Sequence, residues 1–383
     1  MKTKWILLVL ALCLLLTGCT AWPDGYYVSI RPHAGEGPIQ HQGISSVKNY
    51  NQLVAAIQNT VEDGASSITL SVEDYDQTIL QSELNKAILT VHTQNPIAAY
   101  AVENIAYEFG VTGGVAAVSV TVSYNHNHGK ISKMKISRNM DIAAGMIEDA
   151  LESGSSELVL RIHGYKELDV VRLMQEHAAK YPELVMEVPQ VTVNMYPESG
   201  SYRVLELLFT YQSSKDALKS MQEHVRQLFA SSRLYIAGEE DETSRYDMLC
   251  TFLMERTTYK LETSLTPAYS LLRHGVGDSR AFAITYSAMC RNAGLECVTV
   301  SGTRAGEPWY WNIVCENGTY YHLDLLKSHG NGVYYRYTDE QMSGYVWDYS
   351  AYPACGVVPE DEPVQSENTD VTEPTIPGNA AAE

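Results

Sequence analysis

HGVGDSRAFAITYSAMCRNAGLECVTVSG, residues 274–302, is the stretch that decides the fold of the C-terminal part of this chain. Its opening Gly-x-Gly predicts a tight turn, because glycine adopts positive φ at no steric cost. Asp278 or Ser279 can cap a following helix, and apolar residues recur at helical spacing up to Gly294, a typical residue for a helix end. The β-branched residues at 297–300 then predict a strand.

A second stretch, PWYWNIVCENGTYYHLD at residues 308–324, predicts two further strands. They cover residues 309–315 and 319–325. Between them stands Asn317-Gly318, a dipeptide that strongly indicates a hairpin turn. The two stretches together predict a turn, a helix and three strands in that order.

This layout resembles the core of the transglutaminase-like family, whose fold is papain-like. The family pattern has a nucleophilic Cys at the start of a helix that ends in Ala-Gly, then a His-Ala-Trp-Asn strand, then an Asp on the next strand. Counted back from Ala293-Gly294, the Cys position is Ser279. Trp311-Asn312 match the Trp-Asn of the family strand, so the His position is Trp309, and the Asp position is Asp324.

The resemblance implies that two of the three catalytic residues are replaced. The family reaction uses a Cys thiolate, a His that carries the proton and an Asp that orients the His. Ser279 would need a strong base beside it, and Trp309 is a hydrogen-bond donor only. We therefore expect residues 235–355 to form a pseudoenzyme domain that needs no cofactor, with its cleft kept for binding. The residues expected at that cleft, besides Ser279, Trp309 and Asp324, are Tyr310, Trp311, Asn312 and His322.

Two alternatives to a binding domain stay open. An imidazole from His322 or His274 could serve Ser279, which would give a serine hydrolase or a residual acyltransferase. The domain could also be a structural spacer with a filled cleft. Cys290 lies eleven residues after Ser279 on the same predicted helix, and we interpret it as a buried structural residue rather than a displaced nucleophile.

Residues 1–19 have the pattern of a lipoprotein signal peptide. Lys2 and Lys4 precede an apolar run at 6–16 that is too short for a relaxed membrane span. The sequence Leu16-Thr17-Gly18-Cys19 resembles the bacterial lipobox, whose Cys receives a diacylglyceryl group, and two acyl chains anchor a protein stably. We expect Cys19 to hold the chain on the outer face of the bacterial cytoplasmic membrane; an ordinary secretory signal is the alternative.

Residues 46–134 and 135–234 are predicted to be two copies of one α+β unit, the second with a connecting helix. NYNQLVAAIQNTVEDGASSITLSVEDY, from Asn49, aligns without a gap with NMDIAAGMIEDALESGSSELVLRIHGY, from Asn139. Each copy predicts a helix, a turn, a strand, a helix and a hairpin, packed as a small sandwich with helices on one sheet face. The predicted fold class is therefore α+β throughout: two sandwich repeats followed by a papain-like domain.

The segments at either end of these domains are predicted to be extended. Residues 20–45 contain Pro and several Gly and are interpreted as a tether. Residues 356–383 are interpreted as a disordered acidic tail, because from Val357 onward there are seven acids, four prolines and no Lys or Arg. The formal net charge of −19 argues against nucleic acid as a partner. The expected partners are the membrane, through Cys19, and a peptide, protein or cell-wall ligand.

No metal site is predicted. The chain has no C-x-x-C pair, and His126 and His128 stand in a polar segment without a third ligand, which favours a solvated turn. After Cys19 five cysteines remain, an odd number that leaves at least one free thiol if the others pair. Their pairing stays open; they are Cys250, Cys290, Cys297, Cys315 and Cys355.

Overall fold

The computed structural model describes residues 39–126, 128–261, 267–328 and 333–357. The predicted signal peptide with Cys19, most of the predicted tether, the side chain of His128 and the tail from residue 358 lie outside the described residues. The chain divides into two compact units. The first is Met1–Asn139 with Val159–Tyr165 and Asn194–Glu206, and the second is Met140–Leu158 with Lys166–Val193 and Leu207–Glu383.

The first unit contains a four-stranded sheet in the order β1-β2-β4-β3. Strand β1 runs parallel to β2, and the other neighbours are antiparallel. Because β1 begins at residue 39 and pairs with β2, the predicted tether, which reached residue 45, was too long. The elements are β1 Ile39–Ser46, α1 Tyr50–Glu62, β2 Ala65–Ser71, α2 Leu80–Gln94, α3 Pro96–Ala101, β3 Val102–Thr112 and β4 Val115–Tyr124.

Helix α1 packs on this sheet through an apolar stripe at helical spacing. The helix begins after Asn49, whose side chain accepts a hydrogen bond from the backbone N–H three residues on. Leu53, Ile57 and Val61 lie one turn apart and are fully buried. They share one core with residues of the sheet, among them Leu70, Val118 and Val120.

A second four-stranded sheet has the order β5-β6-β8-β7, with β5 parallel to β6. This order corresponds to that of the first sheet, as two copies of one unit would give; the duplication itself stays a prediction. His126 is less solvated than predicted, because its ring stacks on Tyr100 with a centroid distance of 4.4 Å. The elements are α4 His128–Ser132, β5 Lys135–Ser137, α5 Met140–Glu152, β6 Glu157–His163, α6 Val170–Lys180, β7 Gln190–Tyr196 and β8 Tyr202–Thr210.

The C-terminal part of the second unit is a mixed α+β domain with an antiparallel sheet in the order β13-β12-β11-β14. Two short 3₁₀ helices lie at Asp339–Gln341 and Tyr349–Ala351. The other elements are α7 Lys215–Tyr235, α8 Glu242–Met254, β9 Thr258–Tyr259, α9 Pro267–His274, β10 Val276–Gly277, α10 Ser279–Asn292, β11 Cys297–Arg304, β12 Glu307–Glu316, β13 Thr319–Leu323, α11 Leu325–Ser328 and β14 Tyr345–Trp347.

The helix and the three strands predicted from this part of the chain are present, but β13 ends at Leu323, two residues earlier than predicted, and Leu325 begins α11. Helix α10 begins at Ser279 and ends before Gly294, whose φ is +75°. The predicted hairpin joins β12 to β13, and Asn317 and Gly318 take φ of +50° and +80°, as a turn with two left-handed residues requires. Strand β11 is longer than predicted and continues to Arg304.

Helix α10 is the central element of this domain. Eleven of its fourteen residues are buried, on every side of the helix, so it is enclosed rather than lying on a surface. Its apolar side chains share a core with α7, α8 and β12, for example through Phe229, Leu249 and Val314. In the described part of the chain, no helix combines the length and the apolar character that a membrane crossing requires.

Gly302 in β11 permits a close approach that a larger residue would prevent. A Cβ at this position would lie 2.3 Å from the backbone oxygen of Val346 and 2.8 Å from the Trp311 ring. We expect Gly302→Ala to lower the free energy of unfolding by about 1–3 kcal/mol, because β14 and the indole would have to shift. Gly145→Ala is the matched control.

Gly145 lies inside α5, and a Cβ there would meet no atom within 4 Å. Gly145→Ala is expected to stabilise by about 0.5–1 kcal/mol through helix propensity. Urea unfolding of both variants measures the difference, and equal stability of the two would contradict the close packing at Gly302.

Candidate functional site

Ser279 stands at the first position of α10, and only 6% of it is exposed. The side chain of Asp278 caps the helix by accepting a 2.9 Å hydrogen bond from the Ala281 N–H. A nucleophile at a helix N-terminus is favoured when it carries negative charge. The Oγ of Ser279 accepts a hydrogen bond from the Tyr310 N–H at 3.3 Å, and this is its hydrogen-bond partner among the described residues.

Trp309 and Asp324, the other two positions of the family triad, are joined by a direct hydrogen bond. The indole Nε1 of Trp309 donates to Oδ2 of Asp324 at 2.9 Å. Because Tyr310 follows Trp309 directly, the bond from Tyr310 to Ser279 places all three positions in one locality. The indole thus makes the contact to Asp324 that an imidazole makes in a catalytic triad, but it has no lone pair with which to accept a proton.

The carboxylate of Asp324 is fully used by hydrogen bonds inside the protein. It is 1% exposed. Besides the indole, Oδ2 accepts from the Tyr345 hydroxyl at 2.6 Å and Arg304 Nη1 at 3.4 Å. Oδ1 accepts from the first turn of α11, at 3.0 Å from Leu326 N. Burial, followed by the nearby carboxylate, raises the pKa of Tyr345, so the phenol stays protonated as a donor.

Three residues of this locality were not predicted from the sequence. Arg304 lies over the Trp309 ring, with the guanidinium carbon 5.0 Å from the centroid, and Tyr259 packs against the same ring at 5.8 Å. Tyr345 is the third, through its bond to Asp324. They come from β11, β9 and β14. Their separation along the chain gave no indication that they would contact Trp309 or Asp324. Extension of the β-branched run beyond residue 300 was the one pattern that could have pointed to Arg304.

Three residues expected at an open cleft are buried instead. Trp311 is 1% exposed, and Asn312 and His322 are 0% exposed. Asn312 Nδ2 donates to the Ala283 carbonyl at 2.9 Å, which ties β12 to α10. The prediction is wrong for Trp311 and His322 because Trp347 of β14 packs against both rings. It is wrong for Asn312 because this side chain lies on the opposite face of the sheet, which α10 covers. Tyr310 is half-buried, and the guanidinium carbon of Arg280 lies 5.8 Å from its ring centroid.

Both ring nitrogens of His322 are engaged in hydrogen bonds with residues other than Ser279. Nδ1 lies 2.9 Å from Trp311 Nε1, and Nε2 lies 2.8 Å from Asp339 Oδ1. His274, the other imidazole considered, is exposed at the end of α9. Neither makes a hydrogen bond with Ser279 among the described contacts. The geometry therefore gives no support to a serine hydrolase that uses either histidine as its base.

His322, Asp339 and Cys355 bring their potential ligand atoms within 4.8 Å of one another, a grouping that could suggest a metal. The tautomer of His322 argues against it. The indole of Trp311 can only donate, so Nδ1 must be the acceptor, and Nε2 of the neutral ring then carries the proton that it donates to Asp339. A metal at Nε2 would require an imidazolate. Burial also raises the pKa of the Cys355 thiol to about 12, which disfavours the thiolate that binds metals.

The same contacts predict how stability responds to pH. Burial lowers the pKa of His322 below its ordinary value, and the Asp339 carboxylate only partly opposes this effect. The unfolded chain therefore binds a proton more readily than the folded one. The contribution of His322 to stability is complete above the unfolded pKa of about 6.5 and declines as the pH falls through and below it.

We expect the wild-type protein to lose more unfolding free energy between pH 7.5 and pH 5.5 than His322→Gln. All other groups titrate in both proteins, so the difference isolates the imidazole. Urea unfolding at the two pH values measures it. A wild-type loss equal to that of His322→Gln would show that protonation of His322 costs nothing.

The buried cysteines offer no replacement nucleophile. Cys290 is fully buried, as the sequence predicted, and burial raises its pKa well above the usual value, whereas the thiolate is the reactive form. All five described cysteines are free thiols here; Cys250 and Cys355 are also buried, and Cys297 and Cys315 are half-buried.

Comparison with known families and structures shows what this domain is similar to. Residues 231–351 match the family model described as Transglutaminase-like superfamily. The match contains Ser279, Trp309 and Asp324. No curated protein gives a significant match to the chain.

Three solved structures are similar in part. One, described as the crystal structure of a TGase, has 12% identity and a TM-score of 0.26 and covers 58% of this chain and 66% of its own. A candidate cysteine protease from Cytophaga hutchinsonii has 12% identity, a TM-score of 0.25 and coverages of 41% and 70%. A candidate protease from Parabacteroides distasonis has 8% identity, a TM-score of 0.22 and coverages of 67% and 39%. The chain spans slightly less than two thirds of the first of these structures.

Proposed function

With a transglutaminase-like domain at residues 231–351 as the premise, we propose that this protein is a non-catalytic binding module of the bacterial envelope. The domain keeps the site of the family and uses it to hold a peptide or cell-wall ligand. The lipobox-like sequence at Cys19 supports a location on the outer face of the cytoplasmic membrane.

The hydrogen bond from Trp309 to Asp324 is the observation that carries this proposal. An acyl transfer needs a nucleophile and a base that takes its proton. Here the residue at the base position is an indole, whose N–H is committed to the carboxylate at 2.9 Å. Ser279 has a hydroxyl that the helix dipole alone does not ionise. With both changes together the covalent route lacks its nucleophile and its base.

The surface around Trp309 suits an extended ligand with polar and apolar parts. Tyr259 is 44% exposed beside the half-buried Trp309 and Tyr310. Arg304 and Arg280 lie over the rings of Trp309 and Tyr310. Aromatic faces stack on sugars and peptide groups, and guanidinium groups bind carboxylates. Peptidoglycan stem peptides, which end in carboxylates, combine both features, and an envelope surface protein is the other ligand class.

Binding to purified peptidoglycan and to synthetic stem peptides tests the proposal. We expect Tyr259→Ala to weaken binding about tenfold, since an exposed aromatic contact contributes on the order of 1–2 kcal/mol. Tyr349→Ala is the matched control, because Tyr349 is also exposed, at 61%, and packs on Trp347 rather than Trp309.

Equal affinity of wild type and Tyr259→Ala would contradict a ligand at this surface. Absence of binding to either probe would leave an envelope protein ligand or the spacer role. Membrane fractionation tests the anchor separately: Cys19→Ala is expected to move the chain out of the membrane fraction, and an unchanged distribution would overturn the lipid anchor.

A further inference from the structure

A cavity of about 290 Å³ lies between helices of the transglutaminase-like domain, apart from the triad positions. Its volume is close to the lower limit of small-molecule sites, about 300 Å³. None of Ser279, Trp309 and Asp324 lines it. Met289 stands in its wall ten residues after Ser279 on α10, which corresponds to about 15 Å along the helix. The cavity is therefore distinct from the cleft at the triad.

The inner walls of this cavity are apolar. Phe252, Leu253, Leu271 and Met289 belong to the buried core of the domain, each at most 3% exposed. Leu228, half-buried on α7, closes one side. These wall residues have apolar side chains, so a ligand needs no charged or polar group to pair with them. A hydrocarbon chain would gain binding free energy by entering the cavity, because burial of each methylene group is favourable.

The mouth of the cavity is cationic. Arg256, Arg273 and His274 line it and are exposed. Arg273 stands in the last turn of α9, where a cation suits the helix dipole. Arg256 follows a different helix, α8, and lines the same cavity. Among the described residues, Glu255 is the one carboxylate in an ion pair with the three, at 3.7 Å from Arg256. Such a cluster is notable in a chain with 46 acidic and 27 basic residues.

Both guanidinium groups are held in place by the protein. The guanidinium of Arg256 lies 4.0 Å from the Phe252 ring centroid, and its Nη1 donates to the Phe252 carbonyl at 2.8 Å. Arg273 Nη1 donates to the Tyr269 hydroxyl at 2.7 Å. Each guanidinium retains further N–H donors. The mouth therefore offers oriented donors for an anion, which reduces the entropy lost on binding.

We propose that this cavity is a binding site for a single-chain anionic amphiphile, with its hydrocarbon chain between α7, α8, α9 and α10 and its carboxylate or phosphate on Arg256 and Arg273. This role is independent of the ligand at Trp309. A fatty acid and a phosphate-bearing lipid share the required chemistry.

Calorimetric titration of the full-length chain tests the site with decanoate and decyl phosphate as probes. Decyltrimethylammonium carries the same hydrocarbon chain with the opposite charge. We expect at least one anion to bind, with the cationic probe at least about tenfold weaker, since one charge-assisted hydrogen bond accounts for about a tenfold change. The tighter of the two anions identifies a fatty carboxylate or a phosphate headgroup as the source.

Three variants separate the mouth from the walls. The double variant Arg256→Gln with Arg273→Gln should weaken binding of the anions about tenfold or more. Leu228→Trp should prevent binding of both decanoate and decyl phosphate, because the indole would fill the cavity. Arg233→Gln, an exposed cation on α7 outside the cavity, is the matched control and should bind as wild type does. Arg273→Gln alone, which removes one exposed group, replaces the double variant if thermal melting shows that the latter is unfolded.

Several results would overturn the site: no binding of either anion, equal binding of the cationic probe, or unchanged affinity in Leu228→Trp or in the folded arginine variant. Tyr259→Ala separates this site from the proposed cleft, because it should leave decanoate binding unchanged. A loss of decanoate binding in Tyr259→Ala would mean that the amphiphile sits at Trp309 instead.

Discussion

Asp324→Ala is expected to destabilise the protein by about 3–5 kcal/mol, the range for loss of a buried charged partner. The carboxylate is 1% exposed and accepts from Trp309, Tyr345, Arg304 and two backbone N–H groups of α11. Alanine would leave these donors without their acceptor, and each polar group left unsatisfied in a buried position, such as the Tyr345 hydroxyl, costs about 1–3 kcal/mol. Urea unfolding at pH 7 measures the loss.

Asp324→Asn distinguishes the need for acceptors from the need for shape. An amide has nearly the same size, but its NH₂ would face either Trp309 Nε1 or the N–H groups of α11, which are donors themselves. We expect Asn to destabilise almost as much as Ala. Asp348→Ala is the matched control, because Asp348 caps a short 3₁₀ helix at the surface and its loss should be small. Wild-type stability in Asp324→Asn would contradict the hydrogen-bond assignment at the site.

Restoring the family residues with Ser279→Cys and Trp309→His is expected to create acyl transfer where the single changes do not. Position 279 is the N-terminus of α10, which lowers the pKa of a thiol, and a neighbouring imidazolium lowers it further. An imidazole at 309 would find Asp324 already placed as its acceptor. General acid–base catalysis contributes about 100-fold or more, so the double variant should exceed either single variant by at least that factor.

Incorporation of a fluorescent amine into a glutamine-containing protein measures this gain. Alkylation by iodoacetamide at pH 6–8 gives an independent readout of the thiolate, with the wild-type protein as baseline for the other cysteines. Lack of both activity and enhanced alkylation in the folded double variant would contradict the view that the site retains the family geometry.

Local patterns predicted the framework of this site because each depended on neighbouring residues. The cap at Asp278, the helix up to Gly294 and the hairpin at Asn317-Gly318 all rest on backbone conformations that the residue types favour nearby. These elements bring positions 279, 309 and 324 together. The hydrogen bond between Trp309 and Asp324 was not predicted, although the family spacing had assigned the two residues to the His and Asp positions.

The surroundings of the site could not be predicted from local patterns. Trp311 and His322 lie on strands whose side chains alternate between the two faces of the sheet. From this pattern alone, their face could have been exposed to solvent. Their burial depends on β14, which pairs with β11 through Gly302 and Trp347 from about 45 residues further along the chain. Arg304 becomes part of the site for the same reason: β11 extends to pair with both β12 and β14.

The helix-lined cavity was likewise invisible in the sequence. Its apolar walls are residues that any buried helix would carry. Its mouth combines Arg256 with Arg273 and His274, which stand seventeen and eighteen residues away. The packing of α9 against α10 and the position of α7 bring these residues together around the same cavity.

Acyl-transfer and amidase assays of the wild-type protein beside Ser279→Ala provide the most direct test of the central claim, that the site binds without chemistry. Assayed at equal concentration with the same amine and glutamine substrates, both proteins are predicted to give only the background rate. Turnover by the wild type that disappears in a folded Ser279→Ala variant would contradict the claim and establish Ser279 as a working nucleophile.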